Sequence, residues 1–152
     1  MAFRFIALMF FTSSAFSFSP NCDLIGSNLK SQKGTTQQSC WGACESEEKC
    51  RGVVFVSGWK RCFLKSSVKR KASLKFFSEI RSGESGYNLD FTGKDLVRHV
   101  TSTKEECRDK CLNEKKCTGF TYLEGYRDCW IKHTKGRLFE KIFYCKEKKE
   151  KG

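Results

Sequence analysis

The sequence is poor in histidine, in long apolar runs and in acidic residues. Its two histidines, His99 and His133, stand in no spacing that suggests a general base, a catalytic triad or a metal pair. The longest apolar run, Phe5 to Phe11, is far shorter than the roughly 20 residues that a membrane-spanning helix needs. These shortages argue against histidine-dependent catalysis and against a transmembrane protein.

The shortage of acidic residues leaves a strongly basic chain. Seventeen acidic residues stand against 29 basic ones among 152 residues, a formal net charge of +12. A surplus of this size favours anionic partners such as sulphated glycans, acidic proteins or membrane head groups. Nucleic acid fits the charge but not the export signal described next. A charge that only keeps the protein soluble is the alternative.

The N-terminus has the three parts of a secretory signal. Arg4 gives a positive start, Phe5 to Phe11 an apolar core, and Ala15-Phe16-Ser17 a cleavage site with small residues. We therefore predict that residues 1–17 are removed and that the mature chain is secreted. Its location is then extracellular or, in a bacterium, periplasmic or surface-associated, with no transmembrane span.

Cysteine is abundant, and eight of the ten cysteines fall in a spacing that occurs twice, C-x3-C-x5-C-x11-C. The first copy contains Cys40, Cys44, Cys50 and Cys62, and the second, 67 residues later, contains Cys107, Cys111, Cys117 and Cys129. A spacing preserved at every interval identifies a tandem repeat. Modules this small usually need additional constraints, which disulfides supply in secreted proteins.

Each copy has the pattern of one helix followed by a β-hairpin. Thr35-x-x-Gln38 and Ser102-x-x-Glu105 both fit a capping box, which predicts a helix start in each copy. Two cysteines four residues apart then share one helical face. A β-rich run, a turn glycine (Gly58 or Gly125) and a second run follow. We predict disulfides between helix and hairpin, with three connectivities open for each set of four cysteines.

The second copy resembles the PAN/apple module in Phe91-x-Gly93-x-Asp95-Leu96, in its C-x3-C helix and in Cys129-Trp130-Ile131-Lys132. The first copy is similar at Cys62-Phe63-Leu64-Lys65, and Ser85-Gly86-Tyr87 resembles the sequence that closes such modules. The resemblance implies an α+β fold of two small disulfide-rich modules, each a twisted antiparallel sheet with one helix packed across it. We assign the modules to residues 20–86 and 87–145, and a charged, disordered tail to residues 146–152.

The resemblance also implies how the cysteines pair within each module. Carried over position by position, it joins helix to hairpin in the same way in both copies. The implied bridges are Cys40 to Cys62, Cys44 to Cys50, Cys107 to Cys129 and Cys111 to Cys117.

Apple modules often have a third bridge between their two ends, and each copy here has half of it. Cys22 opens the first copy, but Ser78 occupies its partner's position; Cys145 closes the second copy, but Leu89 stands opposite. We hypothesise that Cys22 and Cys145 bond to each other, which uses every cysteine. The alternatives are a homodimer joined through these cysteines, or a lipid attached to Cys22.

Binding is the function that the resemblance implies. A catalytic cysteine needs a free thiolate, which a complete disulfide framework does not leave, and the x3 and x5 spacings are not those of zinc knuckles. We therefore predict no enzyme activity, no cofactor and no metal. The partner is an extracellular glycan, possibly sulphated, or alternatively a cell-surface receptor or protease.

Two basic clusters and two aromatic residues are the candidate ligand-binding residues. Clustered cations engage sulphate or carboxylate groups. Trp59 and Tyr126 follow the turn glycines, where an exposed ring stacks on a sugar or anchors a protein. For any single cation, a solvated charged loop is the alternative. The basic candidates are Lys69, Arg70, Lys71, Lys75 and Arg81 in the first copy, and Lys132, Lys135, Arg137 and Lys141 in the second.

Overall fold

The computed structural model describes residues 17–149. The predicted signal, residues 1–17, therefore lies outside the described residues except for Ser17. Neither helix of the described chain is long and apolar enough to cross a bilayer. The first repeat forms β1 (Ser19–Pro20), β2 (Cys22–Ile25), β3 (Asn28–Lys33), α1 (Gln37–Glu45), β4 (Gly52–Val56), β5 (Arg61–Lys65), β6 (Arg70–Ser73) and β7 (Lys75–Ile80). The second, counted from the strand that spans the predicted boundary after residue 86, forms β8 (Ser85–Tyr87), β9 (Leu89–Phe91), β10 (Asp95–Val100), α2 (Lys104–Asn113), β11 (Gly119–Glu124), β12 (Asp128–Lys132), β13 (Leu138–Glu140) and β14 (Phe143–Glu147).

The last strand of each repeat lies in the sheet of the other repeat. β14 pairs antiparallel with β4, and β7 pairs antiparallel with β11. The two five-stranded sheets have the orders β1-β14-β4-β5-β3 and β10-β12-β11-β7-β8. We call the first sheet, with α1 and the β2–β6 pair, the first lobe, and the second sheet, with α2 and the β9–β13 pair, the second lobe. The sequence repeats and the folded lobes therefore differ by one exchanged strand each, β7 and β14.

The exchanged strands contact each other through equivalent residues. Phe76 of β7 and Phe143 of β14 are 67 positions apart, and their rings stack with centroids separated by 5.3 Å. Such contact between like residues is what an isologous interface in a symmetric dimer produces. Phe143 also meets Trp59 edge-on at 6.4 Å, so the hairpin turn of the first repeat reaches the same contact.

The turn glycines lie against the chain that crosses between the lobes. A Cβ on Gly58 would stand 2.6 Å from the carbonyl oxygen of Glu140, and one on Gly125 only 2.1 Å from that of Ser73. Gly125 also has a positive φ of 96°, which disfavours other residues. Both glycines, predicted from the sequence as turn residues, are thus required by the close approach of the opposite repeat.

Each helix begins one residue later than the capping boxes predict. The N-cap of α1 is Thr36, whose hydroxyl accepts from the Ser39 amide at 3.1 Å. The N-cap of α2 is Thr103, whose hydroxyl accepts from the Glu106 amide at 3.2 Å. In both repeats the hydroxyl residue of the predicted cap is followed by a second one, so the sequence offers more than one cap. The residue used is the last of the run, which has extended backbone and directly precedes the first helical turn.

The central strand of each sheet is buried on both faces. In β4, Val53 and Phe55 pack against α1, while Val54 packs on the opposite side against Leu24. A short apolar run rich in β-branched residues is typical of a strand covered on both faces. Each such side chain stabilises the fold by about 1.5–3 kcal/mol when fully buried.

Five disulfides use all ten cysteines, and none is free. Within each lobe the two helical cysteines are buried on one face and bond to the segment that follows, with the pairing that the family resemblance implied. The hypothesised bond between Cys22 and Cys145 is present within the chain, and their Cα atoms lie 5.7 Å apart. The four bonds within the repeats are Cys40–Cys62, Cys44–Cys50, Cys107–Cys129 and Cys111–Cys117.

The predicted disordered tail is ordered where it begins. Lys146 belongs to β14, and its Nζ lies 4.1 Å from the centroid of the Trp41 ring. Lys148 Nζ donates to the carbonyls of Cys44 and Glu47 at 3.0 and 3.1 Å, at the C-terminal end of α1, where the helix dipole favours a cation. The prediction of disorder from residue 146 is therefore wrong for this part, because strand pairing with β4 overrides composition.

Candidate functional site

The first basic cluster lies on an exposed strand. Arg70 and Lys71 belong to β6, which pairs with β2, and Lys69 precedes it, with its amide donating to the Ile25 carbonyl at 2.8 Å. All three side chains are exposed. Lys71 Nζ donates to the Ser19 hydroxyl at 2.8 Å, but in residues 17–149 none of the three is ion-paired with a carboxylate. Their charge therefore remains available to an anion.

Two other cations assigned to this cluster are engaged elsewhere. Lys75 lies on the exchanged strand β7 in the second lobe, with its Nζ 4.2 Å from the centroid of the Tyr87 ring. Arg81 donates to the carbonyl of Cys117 at 3.2 Å, close to the end of α2. The charged groups of both residues therefore make contacts within the second lobe and do not join the exposed β6 cations.

The second basic cluster divides into two exposed and two buried cations. Lys135 and Arg137 are exposed, whereas Lys132 and Lys141 are only 8% and 3% exposed and each is ion-paired with an aspartate. Lys132 is therefore not placed to meet a ligand at the surface. Lys65, at the equivalent position of the first repeat, is also buried in the structure.

Lys141 belongs to a buried polar network. Its Nζ lies 2.6 Å from Asp90 Oδ2, while Asp90 Oδ1 accepts hydrogen bonds from the Thr121 hydroxyl and the Phe91 amide at 2.8 Å each. Burial lowers the pKa of Lys141, and the charge of Asp90 opposes that shift. An ion pair this buried stabilises the fold only while both partners remain.

Trp59 lies in the β4–β5 turn and is 49% exposed. Lys141 Nζ lies 3.7 Å from its ring centroid, a cation–π distance. Because Lys141 is itself buried, this contact covers the inner face of the indole. The exposed remainder of the ring is then the part that a ligand could stack on, already held in one orientation.

Tyr126 occupies the equivalent turn of the second repeat but is held by its polar tip. The ring is 38% exposed, and its hydroxyl donates to Asp23 Oδ2 at 2.5 Å. Burial, followed by the hydrogen bond to Asp23, raises the pKa of Tyr126 well above its ordinary value. The hydroxyl is thus committed to joining the repeats, and only the ring is left for a partner.

A family model of the PAN domain matches this chain twice, over residues 14–89 and 85–148. The chain belongs to the PAN domain family. PAN domains bind proteins or carbohydrates, are typically non-catalytic, and in disulfide-rich form are typical of extracellular proteins. In residues 17–149 of this PAN protein no group of His, Cys, Asp and Glu side chains is placed to hold a metal ion.

The sequence does not mark two further cations of the first PAN repeat that lie beside Trp59. Lys33 ends β3 and Arg61 begins β5, and the two are partners in the β3–β5 register. With Trp59 they line a depression of about 340 Å³. Because β3 shows no regular hydrophobic alternation, its pairing, and hence this proximity, is not readable from the sequence.

A larger depression, of about 850 Å³, lies beside α1 of the first PAN repeat. Its lining carries charges of both signs, so it does not select an anion. The charged lining residues are Glu45, Glu48, Glu147, Arg51, Lys146, Lys148 and Lys149.

Proposed function

We propose that this chain is a secreted recognition protein that binds anionic glycans, sulphated ones in particular, through Lys69, Arg70 and Lys71. The observation that supports this is three consecutive exposed cations on and beside β6 without a carboxylate partner in the described chain. Membership of a family that binds carbohydrates or proteins, and the surplus of basic residues, agree with it.

The expected binding is multivalent and sensitive to salt. An exposed ion pair contributes about 0.2–1 kcal/mol, so a single cation gives little affinity. Three neighbouring cations on a strand, with Lys135 and Arg137 as a second exposed group, suit a polymer that carries many sulphates. Such contacts add through effective concentration and weaken as salt screens them.

Chromatography on immobilised heparin tests this proposal. The wild-type chain should be retained at the physiological ionic strength of about 0.15 M. The variant Lys69→Ala/Arg70→Ala/Lys71→Ala should bind about three- to a hundredfold more weakly, from the sum of three surface contacts. A matched control, Lys110→Ala/Lys115→Ala/Lys116→Ala, removes the same charge from exposed positions in and after α2.

Equal losses in the two triple variants would show that only net charge matters, and the site at β6 would be abandoned. Elution of the wild type below physiological ionic strength would also lead us to abandon the site at β6, because the binding would then be too weak to operate at that salt concentration. A glycan array run beside a pull-down of cell-surface proteins separates the main alternative: a protein hit unaffected by the β6 variant, with an empty array, would favour docking to a receptor or protease.

A further inference from the structure

The depression beside Trp59 is lined only by cations and an aromatic ring. Its lining residues are Lys33, Trp59 and Arg61, with a volume of about 340 Å³. Small-ligand sites begin at roughly 300 Å³, so there is room for about one sugar ring. No carboxylate lines it, in contrast to the larger depression beside α1.

Trp59 is a preorganised platform within this depression. Its inner face rests on Lys141 Nζ at 3.7 Å, and it makes a T-shaped contact with the Phe143 ring at a centroid distance of 6.4 Å. Half of the side chain nevertheless remains exposed. A ring that is already immobilised loses little entropy when a ligand stacks on it.

The two cations have no acidic partner in residues 17–149. Lys33 is exposed at the end of β3. The Arg61 guanidinium lies 5.3 Å from the Phe63 ring centroid and reaches the Ser31 hydroxyl only at 3.4 Å, while its Nε is buried with no acceptor. An arginine held in this way keeps its terminal N–H groups for a planar or tetrahedral anion.

The second lobe lacks this arrangement, although it is built from the same repeat. The positions equivalent to Lys33, Trp59 and Arg61 are Val100, Tyr126 and Asp128. Asp128 is ion-paired with an arginine of β10 at 2.5 Å. The cationic depression is therefore a property of the first lobe and not a consequence of the fold.

We propose that Lys33, Trp59 and Arg61 form a subsite for one acidic pyranose. The sugar ring stacks on the open face of Trp59, and its sulphate or carboxylate is bound by Arg61 and Lys33. The inference rests on the proposed function for its ligand class, and it adds a defined monosaccharide site in the first lobe, separate from the β6 cations.

Tryptophan fluorescence of the full, disulfide-bonded chain, titrated with a sulphated glucosamine–uronate disaccharide, tests the subsite. The wild type should give a saturable change, and the uncharged disaccharide of the same linkage should give none. Lys33→Gln/Arg61→Gln should weaken binding at least tenfold, while Lys115→Gln/Lys116→Gln should leave it unchanged. Trp59→Phe should abolish the signal. Because Arg61 also touches Phe63, the exposed single variant Lys33→Glu serves if the double variant misfolds, and it should weaken binding too.

The outcomes separate this subsite from the β6 site. If heparin retention depends on the β6 cations but the disaccharide leaves Trp59 fluorescence unchanged, the subsite is overturned and the proposed function stands. If the disaccharide binds through Lys33 and Arg61 while the β6 variant keeps full heparin retention, the subsite stands and the β6 site is overturned. Binding of a sulphotyrosine peptide in place of the disaccharide, with the same variant dependence, would also overturn the sugar assignment.

Discussion

The two lobes receive an exchanged strand at the same place but hold it by different chemistry. In the first lobe Cys145 of β14 is bonded to Cys22 of β2. In the second, Ser78 of β7 stands where Cys145 would be, and its hydroxyl donates to the Leu89 carbonyl at 2.9 Å. A covalent closure in one lobe thus corresponds to a hydrogen bond in the other.

The side chains around the two closures also differ, since they are polar in the second lobe and apolar in the first. The Ser78 hydroxyl lies 2.8 Å from that of Thr121, which donates to Asp90, the partner of Lys141. The residues equivalent to Thr121 and Lys141 in the first repeat are Val54 and Leu74, both buried and apolar. One lobe therefore closes with an apolar cluster around a disulfide, and the other with a buried polar network.

Loop length explains why the covalent bond belongs in the first lobe. Cys22 and Cys145 are 123 positions apart, whereas Ser78 and Leu89 are separated by 11. In the chain-entropy description a loop of roughly 100 residues is worth about 4.7 kcal/mol and a loop of roughly 15 residues about 3 kcal/mol. The disulfide is thus placed where it constrains the unfolded chain most.

Side chains on the exchanged strands also match the receiving helix. Glu79 of β7 forms a bidentate pair with Arg108 of α2 at 2.6–3.0 Å. At the equivalent positions of the first lobe, Lys146 of β14 lies over Trp41 of α1. Without the exchange, Lys146 would face Arg108, and Cys22 and Cys145 would have no partners. We infer that these residues specify the exchanged pairing by excluding the alternative.

The largest expected effect comes from removing the covalent closure. Cys22→Ser/Cys145→Ser should lower the free energy of unfolding by about 5 kcal/mol, because the closed loop is long. Chemical denaturation of the oxidised protein measures the change. Limited proteolysis should at the same time cleave around β14 before any other strand.

The short bridge Cys111–Cys117 provides the control. Its cysteines are six positions apart, so Cys111→Ser/Cys117→Ser should lose only about 2 kcal/mol by the same estimate. A loss as large as that from the long bridge would mean that strain or packing, rather than loop entropy, distinguishes the two lobes.

A smaller loss is expected when the polar closure is broken. Lys141→Met leaves the Asp90 carboxylate buried without its cation, and removing one partner of a buried pair costs about 3 kcal/mol or more. Thermal and urea unfolding measure it, and Trp59 fluorescence should change because the cation beneath the indole is lost.

The equivalent position in the other repeat supplies the matched control for Lys141. Leu74→Met is a substitution of similar volume and should cost less than about 1.5 kcal/mol. The double variant Asp90→Asn/Lys141→Met should recover part of the loss, since no charge is then buried unpaired. Equal destabilisation by Lys141→Met and Leu74→Met would contradict the network's role.

The features that the sequence predicts are those that depend on local spacing. Cysteines four residues apart mark one helical face, and the turn glycines mark the hairpins. The Cys22–Cys145 bond was also within reach, because each repeat lacks one half of the family's end-to-end bridge. The run Lys69 to Lys71 is exposed as a charged run should be.

The exchange itself depends on information that a pattern does not carry. β7 and β14 occupy equivalent positions and differ in length by only one residue, so either is long enough to pair with β4 or β11. Only side chains whose partners lie far away in sequence decide, such as Glu79 with Arg108. The burial of Lys132 and Lys141 has the same origin, since each depends on an aspartate brought close by the fold.

A charge reversal at the Glu79–Arg108 pair tests whether this contact specifies the exchanged pairing, and its expected effect is smaller. Glu79→Lys should cost about 1 kcal/mol, since a partly exposed bidentate pair is replaced by like charges. The reversed pair Glu79→Lys/Arg108→Glu should restore most of that loss in urea unfolding. If the reversed pair remains as unstable as the single variant, the contact does not specify the exchange.

The smallest expected effect is a change in tyrosine ionisation, and it concerns Asp23, the equivalent in the first lobe of Asp90 in the second. Asp23 accepts from the Tyr126 hydroxyl and lies 3.9 Å from Lys65 Nζ, whereas Asp90 pairs with Lys141 at 2.6 Å. Because the pKa of Tyr126 is raised, the folded chain retains a proton that the unfolded chain releases near the ordinary tyrosine pKa of about 10. The stabilisation is therefore complete below that pH and is lost as the pH rises above it.

Spectrophotometric titration tests this. Tyr126→Phe should leave the tyrosinate absorbance of the folded protein up to about pH 11 unchanged, because Tyr126 is still protonated there in the wild type. Asp23→Asn should restore a tyrosine that ionises in this range. A decrease of that absorbance in Tyr126→Phe would show that Tyr126 ionises normally, and that its hydroxyl does not hold the second hairpin to the first lobe as Lys141 holds Asp90.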